Sequence, residues 1–199
     1  MSYSIIGTGG VGSTLASYFA KAGIEVGLAN SRGADAVKPL ATKLGQGVAA
    51  SSLDEALNAD VIFIAVPFLK FKDVASARKD WTGKILIDVT NALTPPEVEE
   101  AERAGRPTSE ANAERVPGAK LVKAFNQLPV PTLTSPVAAG GKRVIFVSSD
   151  DADASAKIAG LADQLGFAPI EVGKLGEGGR LIQAPNALVS QDLIKFEKT

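Results

Sequence analysis

Short apolar runs rich in Val and Ile alternate along this chain with amphipathic or alanine-rich stretches. The runs have the length of buried strands, and the stretches between them have the spacing of helices that cover a sheet. Strands are predicted at 4–6, 25–29, 61–65, 85–88, 121–124, 143–147 and 168–172, with a weaker one at 47–49. The clearest helices are predicted at 11–22, 53–57, 109–115 and 152–165. This alternation is typical of an α/β fold with a doubly wound, mostly parallel sheet and helices on both faces.

Two stretches depart from this alternation. Residues 94–118 carry several prolines around a charged cluster, which predicts an exposed excursion rather than a domain boundary. Residues 176–199 predict a helical tail that is interrupted at Pro185. Its apolar face consists of Leu181, Leu188, Leu193 and Phe196. That face either packs on its own domain or contacts a second copy of the chain, and residues 1–199 are predicted to form a single domain with this tail.

Charge and composition narrow the range of functions. The 199 residues include 21 basic and 22 acidic side chains, a net charge of −1, so no binding to nucleic acid or to an anionic membrane is predicted. The apolar runs are too short to span a bilayer and the N-terminus lacks a basic flank, which predicts a cytoplasmic protein. Because the chain has no Cys and no His, it has no disulfide, thiolate nucleophile, imidazole base or ordinary zinc site. Small-molecule chemistry is therefore expected.

A glycine-rich motif follows the first predicted strand and opens the first predicted helix. It consists of Gly7, Thr8, Gly9, Gly10, Val11 and Gly12. The spacing Gly-x-Gly-x-x-Gly between a strand and a helix is the fingerprint of a Rossmann dinucleotide-binding domain. The first glycine permits a tight turn, the second lets the backbone approach a pyrophosphate, and the third lets helix and strand pack closely. A purely structural glycine-rich turn is the less favoured alternative.

The end of the second predicted strand favours NADP(H) over NAD(H). Domains that prefer NAD usually place an acidic residue there to bind the ribose 2′-hydroxyl. This chain instead has Asn30, Ser31 and Arg32. A serine hydroxyl donates a hydrogen bond to a 2′-phosphate, and a guanidinium offers two donors that match phosphate oxygens. Alternatively, Arg32 is a solvated loop charge.

Two further strand ends are candidates because ligands of open α/β sheets lie at the carboxyl ends of the strands. Residues 65–68 close the fourth strand and residues 88–91 close the fifth, where they would line the nicotinamide half of a cleft. Phe68 either stacks on a ring or packs in the core. Asp88 is expected mainly to bind backbone amides in its own turn.

Taken together, these motifs resemble those of the NADPH-dependent coenzyme F420 reductases. The Rossmann domain of that family is also similar to the oxidoreductase domain of the six-transmembrane metalloreductases. The resemblance extends over nearly the whole chain. It rests on the glycine motif, on residues 30–32, 65–67 and 88–91, and most specifically on residues 109–111 and 117–126.

The resemblance implies roles for individual residues. The glycine motif would hold the pyrophosphate, residues 30–32 the 2′-phosphate, and the loops after the fourth to sixth strands would face the nicotinamide and the acceptor. The cofactor-binding residues predicted in this way are Gly7, Thr8, Gly9, Gly10, Val11, Gly12, Asn30, Ser31, Arg32, Ala65, Val66, Pro67, Asn91 and Asn126. It also implies a homodimer, with NADP(H) as cofactor and coenzyme F420, FMN or FAD as the second substrate.

Two positions depart from the family pattern. Ser148 and Ser149 stand where the family often has a glycine, and Gln183 stands where it has a glutamate in a C-terminal helix. Both positions are expected near the acceptor or the dimer contact. They leave the cofactor assignment intact but weaken the case for the deazaflavin itself as acceptor.

Three functional hypotheses follow from the sequence. The first is hydride transfer between NADPH and a flavin or deazaflavin, which requires two aligned rings and no particular catalytic side chain. The second is reduction of a small imine or carbonyl compound, which calls for a positioned proton donor. The third is a non-catalytic NADP(H)-binding sensor. Lys70, Lys72 and Lys123 are the cations near predicted strand ends, and each is interpreted as a solvated charge or a contact to an acceptor phosphate.

Overall fold

The computed structural model describes residues 1–196 and contains one nine-stranded sheet. The strands are β1 (Tyr3–Ile6), β2 (Val26–Ala29), β3 (Val48–Ala50), β4 (Val61–Ile64), β5 (Ile85–Asp88), β6 (Lys120–Ala124), β7 (Gly141–Ser149), β8 (Ala168–Glu171) and β9 (Ile194–Phe196). Their order is β3-β2-β1-β4-β5-β6-β7-β8, and β9 pairs with β7. Strands β1 to β6 are parallel, β7 is antiparallel to β6, and β8 is parallel to β7. The predicted mostly parallel, doubly wound α/β fold is confirmed.

The helices lie between the strands, as the alternation predicts. Within the described residues they are α1 (Gly10–Ala22), α2 (Ala34–Leu44), α3 (Leu53–Asn58), α4 (Phe71–Ser76), α5 (Pro95–Arg103), α6 (Thr108–Glu114), α7 (Val130–Thr134) and α8 (Ala152–Gln164). A 3₁₀ turn, Phe68–Lys70, precedes α4, and a π-helical turn, Leu175–Gly179, follows β8. The predicted helices correspond to α1, α3, α6 and α8, whereas α2, α4, α5 and α7 were not among them.

Side chains from alternate strand positions enter separate hydrophobic clusters on the two faces of the sheet. Phe63 of β4 packs with α1 and α8 on one face, whereas Ile62 and Ile64 pack with α3 and α4 on the other. This arrangement explains why the strands are apolar at nearly every position. Burial of a side chain as large as Phe63 contributes roughly 1.5–3 kcal/mol. The sheet is therefore a rigid base for the loops at its carboxyl edge.

The excursion predicted at 94–118 is only partly exposed. It contains α5 and α6, and Thr108, Ser109 and Asn112 of α6 are fully or almost fully buried. The prediction of an exposed segment is therefore wrong for α6, because this helix covers the end of β6 with a polar face. That face meets a buried polar cluster rather than solvent.

The helical tail predicted at 176–199 is helical only as far as Leu181, and the prediction is wrong for the rest of the described residues. After the π-helical turn the chain forms turns and then β9, which pairs antiparallel with Gly141–Arg143 of β7. The Arg143 side chain, 3% exposed, donates to the Asp192 carboxylate and to the carbonyl oxygens of Leu133 and Ser135. Strand pairing and this buried guanidinium hold the segment extended. Residues 197–199 of the prediction lie outside the described part of the chain.

Within residues 1–196, no helix combines the length and the apolar composition that crossing a bilayer requires. The single-domain organisation stays a prediction from the sequence.

Candidate functional site

The turn between β1 and α1 depends on glycine at two positions. Gly7 has φ = 121°, and a Cβ there would lie 2.1 Å from the carbonyl oxygen of Ala65. A Cβ at Gly12 would lie 2.0 Å from the carbonyl oxygen of Gly7. By contrast, a Cβ at Gly9 would meet no atom within 4 Å. The structure therefore has the tight turn, the close helix packing and the open backbone approach that the motif predicts.

The amino end of α1 faces this turn without a local anion. Gly9 is the N-cap and provides no side-chain cap, and the first turn of the helix contains no acidic residue. The first N–H groups of a helix lack partners within it and lie at the positive end of its dipole. This end of α1 is therefore suited to binding an anion such as a pyrophosphate.

The residues after β2 are fixed onto the glycine turn. The Asn30 side-chain amide donates to the Thr8 hydroxyl at 3.0 Å and accepts from the backbone N–H of Arg32 at 2.8 Å. The Arg32 guanidinium is exposed and has no hydrogen-bond or ion-pair partner among residues 1–196. Its position is thus set through the backbone while its charge stays available to a ligand.

A cavity of about 430 Å³, here called the β2 cavity, lies between the end of β2 and the segment after β4. It is lined by Ile6, Gly7, Thr8, Gly9, Asn30, Ser31, Arg32, Leu53, Ala65, Val66, Pro67, Lys70, Asp73 and Val74. The glycine turn, residues 30–32 and residues 65–67 thus meet around one space. Three charged side chains line it: Arg32, Lys70 and Asp73.

A second cavity of about 550 Å³, here called the β5 cavity, lies across the ends of β4, β5 and β6. It is lined by Gly9, Gly10, Val11, Ala65, Val66, Pro67, Phe68, Val89, Thr90, Asn91, Leu93, Thr94, Glu97, Asn126, Gln127, Leu128, Pro129, Val130, Val189 and Ser190. The two cavities share Gly9 and residues 65–67. They meet where the strand order reverses between β1 and β4, the usual ligand position in open α/β sheets.

The structure therefore brings the predicted site residues together with one exception. All of them line one or both cavities except Gly12, which lies behind the turn and packs against Gly7. Phe68 is 4% exposed and also lines the β5 cavity. The same ring therefore packs against the protein and forms part of the cavity wall. Cofactor binding by these residues stays a prediction that the geometry supports.

Asn91 and Asn126 join three segments around the β5 cavity. The Asn91 side chain donates to the carbonyl oxygen of Asn126 at 2.6 Å and accepts from the Asn126 side chain at 3.0 Å and from the Ala184 N–H at 3.3 Å. The Asn126 side chain also donates to the carbonyl oxygen of Ile182 at 2.6 Å. The pair therefore fixes the loops after β5 and β6 against the segment at 182–184.

The residue before Asn126 has an unusual backbone conformation. Phe125 has φ = 60°, which is strained for an aromatic residue, and its ring is 1% exposed. The ring packs against Phe63 and Phe167, with centroids 5.6 and 5.9 Å away. The hydrophobic core thus stabilises the backbone turn that brings Asn126 to the cavity.

A buried ion pair lies directly behind the loop after β5. Lys123 and Asp88 are both 0% exposed, and the ammonium lies 3.2 Å from Oδ2 of the carboxylate. The ammonium also donates to the carbonyl oxygen of Thr90. Burial lowers the pKa of Lys123, and the nearby Asp88 charge opposes that shift. The interpretation of Lys123 as a solvated charge or an acceptor contact is therefore wrong, because β6 places it inside the sheet opposite Asp88.

Asp88 accepts further hydrogen bonds that hold its own turn. Its Oδ1 accepts from the Thr90 N–H at 2.9 Å and from the Thr90 hydroxyl at 2.7 Å, and its Oδ2 accepts from the Asn112 amide at 3.1 Å. The expected contact to a backbone amide in its turn is present. The loop that carries Asn91 is consequently anchored from below by a carboxylate and an ammonium.

Glu97 fixes the beginning of α5 at the edge of the β5 cavity. Its carboxylate accepts from the backbone N–H groups of Leu93 at 3.1 Å and Thr94 at 3.0 Å. Burial acts to raise the pKa of Glu97, but hydrogen bonds from Thr94, Leu93 and Phe68 hold it below its ordinary value. The group is therefore ionised at neutral pH and is not a proton donor. Among the described residues that line this cavity, Glu97 is the titratable one.

Several residues of the site were not predicted from the sequence. They are Ile6, Leu53, Asp73 and Val74 in the β2 cavity and Leu93, Thr94, Glu97, Gln127, Leu128, Pro129, Val130, Val189 and Ser190 in the β5 cavity. The sequence did contain a signal for Glu97, because Thr94 and Glu97 have the spacing of a capping box at the start of α5. Position 189–190 had no local signal, since it reaches the cavity through the Ser190 N–H bond to the Gln127 carbonyl oxygen.

The remaining sequence candidates lie outside the β5 cavity. Lys70 lines the β2 cavity and Lys72 lines neither cavity, so neither contacts the space expected for the acceptor. Ser148 and Ser149 lie within β7 and donate to the carbonyl oxygens of Gly173 and Leu121. Gln183 lies in a turn and accepts from the Thr108 N–H at 2.6 Å. All three side chains bind backbone groups of their own chain and line neither cavity, and their expected position near the acceptor or the dimer contact stays a prediction.

Comparison with known proteins identifies relatives of this chain. Residues 2–92 match the family model described as NADP oxidoreductase, coenzyme F420-dependent. A hypothetical protein from Sinorhizobium meliloti, SMa0349, has a solved structure that is 40% identical, with a TM-score of 0.91, and the alignment covers 98% of this chain and 96% of that one. A protein from Arthrobacter sp. FB24, described as an F420-dependent NADP-reductase, is 28% identical with a TM-score of 0.69 over 88% of this chain and 86% of that one.

A metalloreductase is also similar in sequence. Metalloreductase STEAP3 from Rattus norvegicus is 27% identical over 186 residues, which is 93% of this chain and 36% of the metalloreductase. The chain thus spans about a third of the length of that relative.

The fold, the glycine turn and the two adjoining cavities define a Rossmann protein of the dinucleotide-binding class. The chain belongs to the same family as the Sinorhizobium protein, and its residues 2–92 match the family model of the coenzyme F420-dependent NADP oxidoreductases. The resemblance stated from the sequence is confirmed.

Proposed function

We propose that this protein transfers a hydride between NADPH and a flavin or deazaflavin acceptor. The observation that carries the proposal is the lining of the β5 cavity, which consists of apolar side chains, backbone, amides and hydroxyls, with one carboxylate held ionised. Hydride transfer between two rings requires alignment and exclusion of water rather than a strong side-chain acid. A small imine or carbonyl substrate would instead call for a positioned proton donor.

The residues present fit NADP(H). The pyrophosphate would lie against Gly9 and the amino end of α1, where open space and unpaired N–H groups coincide. The 2′-phosphate would lie in the β2 cavity against Ser31 and Arg32, and the nicotinamide in the β5 cavity. When bound, the nicotinamide supplies the hydride. No described group of three or more Asp or Glu side chains is arranged to hold a metal ion.

The protein's own part in the proposed reaction is to hold two walls at a fixed distance. Val66, Pro67 and Phe68 form one wall of the β5 cavity, and residues 128–130 form the other. The Asn91 side chain donates to the carbonyl oxygen of Asn126, just before residues 128–130, and Glu97 accepts from Leu93 and Thr94 in the loop after β5. Apolar walls also keep water from the reacting atoms, which strengthens alignment and prevents side reactions.

An anaerobic absorbance assay tests the proposed function. Purified protein is mixed with NADPH and, in turn, with FMN, FAD and coenzyme F420, and the absorbance of each acceptor is followed. We expect bleaching of at least one of them at a rate that depends on the protein. Turnover of a cyclic imine or small ketone with no bleaching would favour the second hypothesis. Tight NADPH binding without turnover of any acceptor would favour a sensor.

Arg32 is expected to set the cofactor preference. Arg32→Asp places a carboxylate where a 2′-phosphate would lie, so NADPH binding should weaken by several kcal/mol while NADH binding hardly changes. Calorimetry with both cofactors measures this difference. Arg103→Asp, an equal charge change on the exposed face of α5, serves as the control. Equal losses for NADPH and NADH would contradict the assignment.

We further propose that the chain forms a homodimer. Leu181, Leu193 and Phe196 are 45%, 43% and 56% exposed, and an interface would cover such apolar side chains. Leu188, by contrast, packs on the cluster around Phe146 of its own chain. Light scattering at micromolar concentration should give twice the chain mass of 20.5 kDa. A monomer mass would refute the proposal. The cytoplasmic location stays a prediction from the sequence.

A further inference from the structure

We propose that Lys70 is a second cation for the 2′-phosphate of NADP(H), and that Asp73 holds this lysine beside the β2 cavity until the phosphate replaces it. The proposal rests on the proposed function in one respect, namely that the dinucleotide lies with its phosphorylated ribose against Arg32. It adds a residue from another part of the chain to the determinants of cofactor choice.

Lys70 and Arg32 come from different parts of the chain and line the same cavity. Arg32 follows β2, whereas Lys70 ends the 3₁₀ turn Phe68–Lys70 after β4, and β1 lies between these two strands in the sheet. Both side chains line the same space of about 430 Å³. A ligand group that enters this space would therefore meet cations from two separate segments of the chain.

The charge of a phosphate monoester explains why two cations are needed. Such a group carries about −1.5 to −2 at pH 7, so a single guanidinium neutralises only part of it. Asp73 brings a negative charge to the same cavity, which would repel the phosphate if Lys70 did not neutralise it. Lys70 thus has an electrostatic role both before and after the phosphate binds.

The contact between Lys70 and Asp73 is suited to exchange. The Lys70 ammonium lies 2.9 Å from the Asp73 carboxylate, and the two side chains are 66% and 56% exposed. Exposed ion pairs of this kind contribute little free energy, and lysine reaches different partners through its flexible four-carbon stem. A phosphate that carries more charge than a carboxylate therefore displaces Asp73 at small cost.

Binding of two small probes to surface variants tests the inference. Adenosine 2′,5′-bisphosphate carries the 2′-phosphate and adenosine 5′-monophosphate lacks it, and calorimetry gives the affinity of each. We expect Lys70→Met to weaken binding of the bisphosphate about tenfold and to leave the monophosphate unchanged. Lys72→Met is the matched control. It removes the same charge two residues along the chain, at a position that lines neither cavity.

Asp73→Asn tests the role of the carboxylate. Removal of its charge should tighten binding of the bisphosphate several-fold at low salt, with a smaller gain at high salt because screening weakens exposed charges. Thermal unfolding of each variant establishes that the fold is intact. All three substitutions lie on an exposed surface, so we expect unfolding temperatures close to that of the parent protein.

Each outcome supports or overturns a defined part of the inference. Equal effects of Lys70→Met and Lys72→Met, or equal losses for both probes, would overturn the assignment of Lys70. Weaker binding of both probes by Asp73→Asn would overturn the role of the carboxylate and make it an adenosine contact. If Lys70→Met is silent while Arg32→Asp abolishes the preference for NADPH, the inference fails and the proposed function stands. A parent protein that prefers neither NADPH nor the bisphosphate overturns both.

Discussion

Replacement of Lys123 by Met should lower the free energy of unfolding by about 3 kcal/mol, the largest stability loss that we expect from a single substitution near the site. The substitution leaves the Asp88 carboxylate fully buried and without its cation. Hydrogen bonds from Thr90 and Asn112 remain, which places the expected cost at the lower end for a broken buried ion pair. Urea unfolding measures this loss, with the dependence of the unfolding free energy on urea concentration fitted separately for each variant.

A double variant separates charge from packing. In Lys123→Met combined with Asp88→Asn, no buried charge remains, so at least half of the lost stability should return. Asp88→Asn alone should cost less than Lys123→Met, because burial lowers the pKa of Lys123 and lets the lysine lose its proton when the carboxylate is removed. A Lys123→Met protein as stable as the parent would mean that the pair carries no stabilising charge interaction.

Substitution of Gly12 by Ala should damage the fold and the cofactor site together. The new Cβ would lie 2.0 Å from the carbonyl oxygen and 2.9 Å from the carbonyl carbon of Gly7, so backbone must shift rather than a flexible side chain. Overpacking of this kind costs about 1–3 kcal/mol or more. The displaced turn should also weaken NADPH binding at least tenfold, by the same range of free energy. Chemical unfolding and calorimetry give the two quantities.

Gly9→Ala is the matched control, because it should leave the stability of the fold intact while it affects NADPH binding. A Cβ at Gly9 meets no atom of the protein within 4 Å, and the residue has an extended backbone with φ of −74°, which alanine adopts readily. Stability should therefore change by less than about 0.5 kcal/mol, while the methyl group occupies space that a pyrophosphate would approach. If Gly9→Ala binds NADPH as tightly as the parent does, the pyrophosphate does not lie against this turn.

The sheet was predictable because its strands are buried on both faces. Val61–Ile64 and Ile85–Asp88 were apparent as continuous apolar runs that need no partner to be recognised. By contrast, β9 was not predicted, because its strand conformation depends on pairing with Gly141–Arg143 and on the buried Arg143 side chain. A tail whose conformation is fixed by a distant strand carries no local periodicity to indicate it.

The candidate site was predictable to the extent that its residues follow strands directly. The glycine turn and residues 30–32 and 65–67 each stand at a strand end, and the structure places them around one groove. Lys123 shows the limit of this reasoning. Its burial follows from the register that sets it opposite Asp88, and register across strands is not visible in a single sequence.

The two walls of the β5 cavity come from different parts of the chain. The wall that carries residues 65–68 and most of the loop after β5 belongs to the 2–92 segment that matches the family model, whereas residues 126–130 and 189–190 lie beyond it. The space in which we propose that nicotinamide and acceptor meet is thus built from two separate stretches of sequence. Exchange of residues 126–130 and 189–190 alone would alter one side of this space and leave the 2–92 segment intact, so a chimera of that kind is the economical way to test which acceptor the proposed reaction uses.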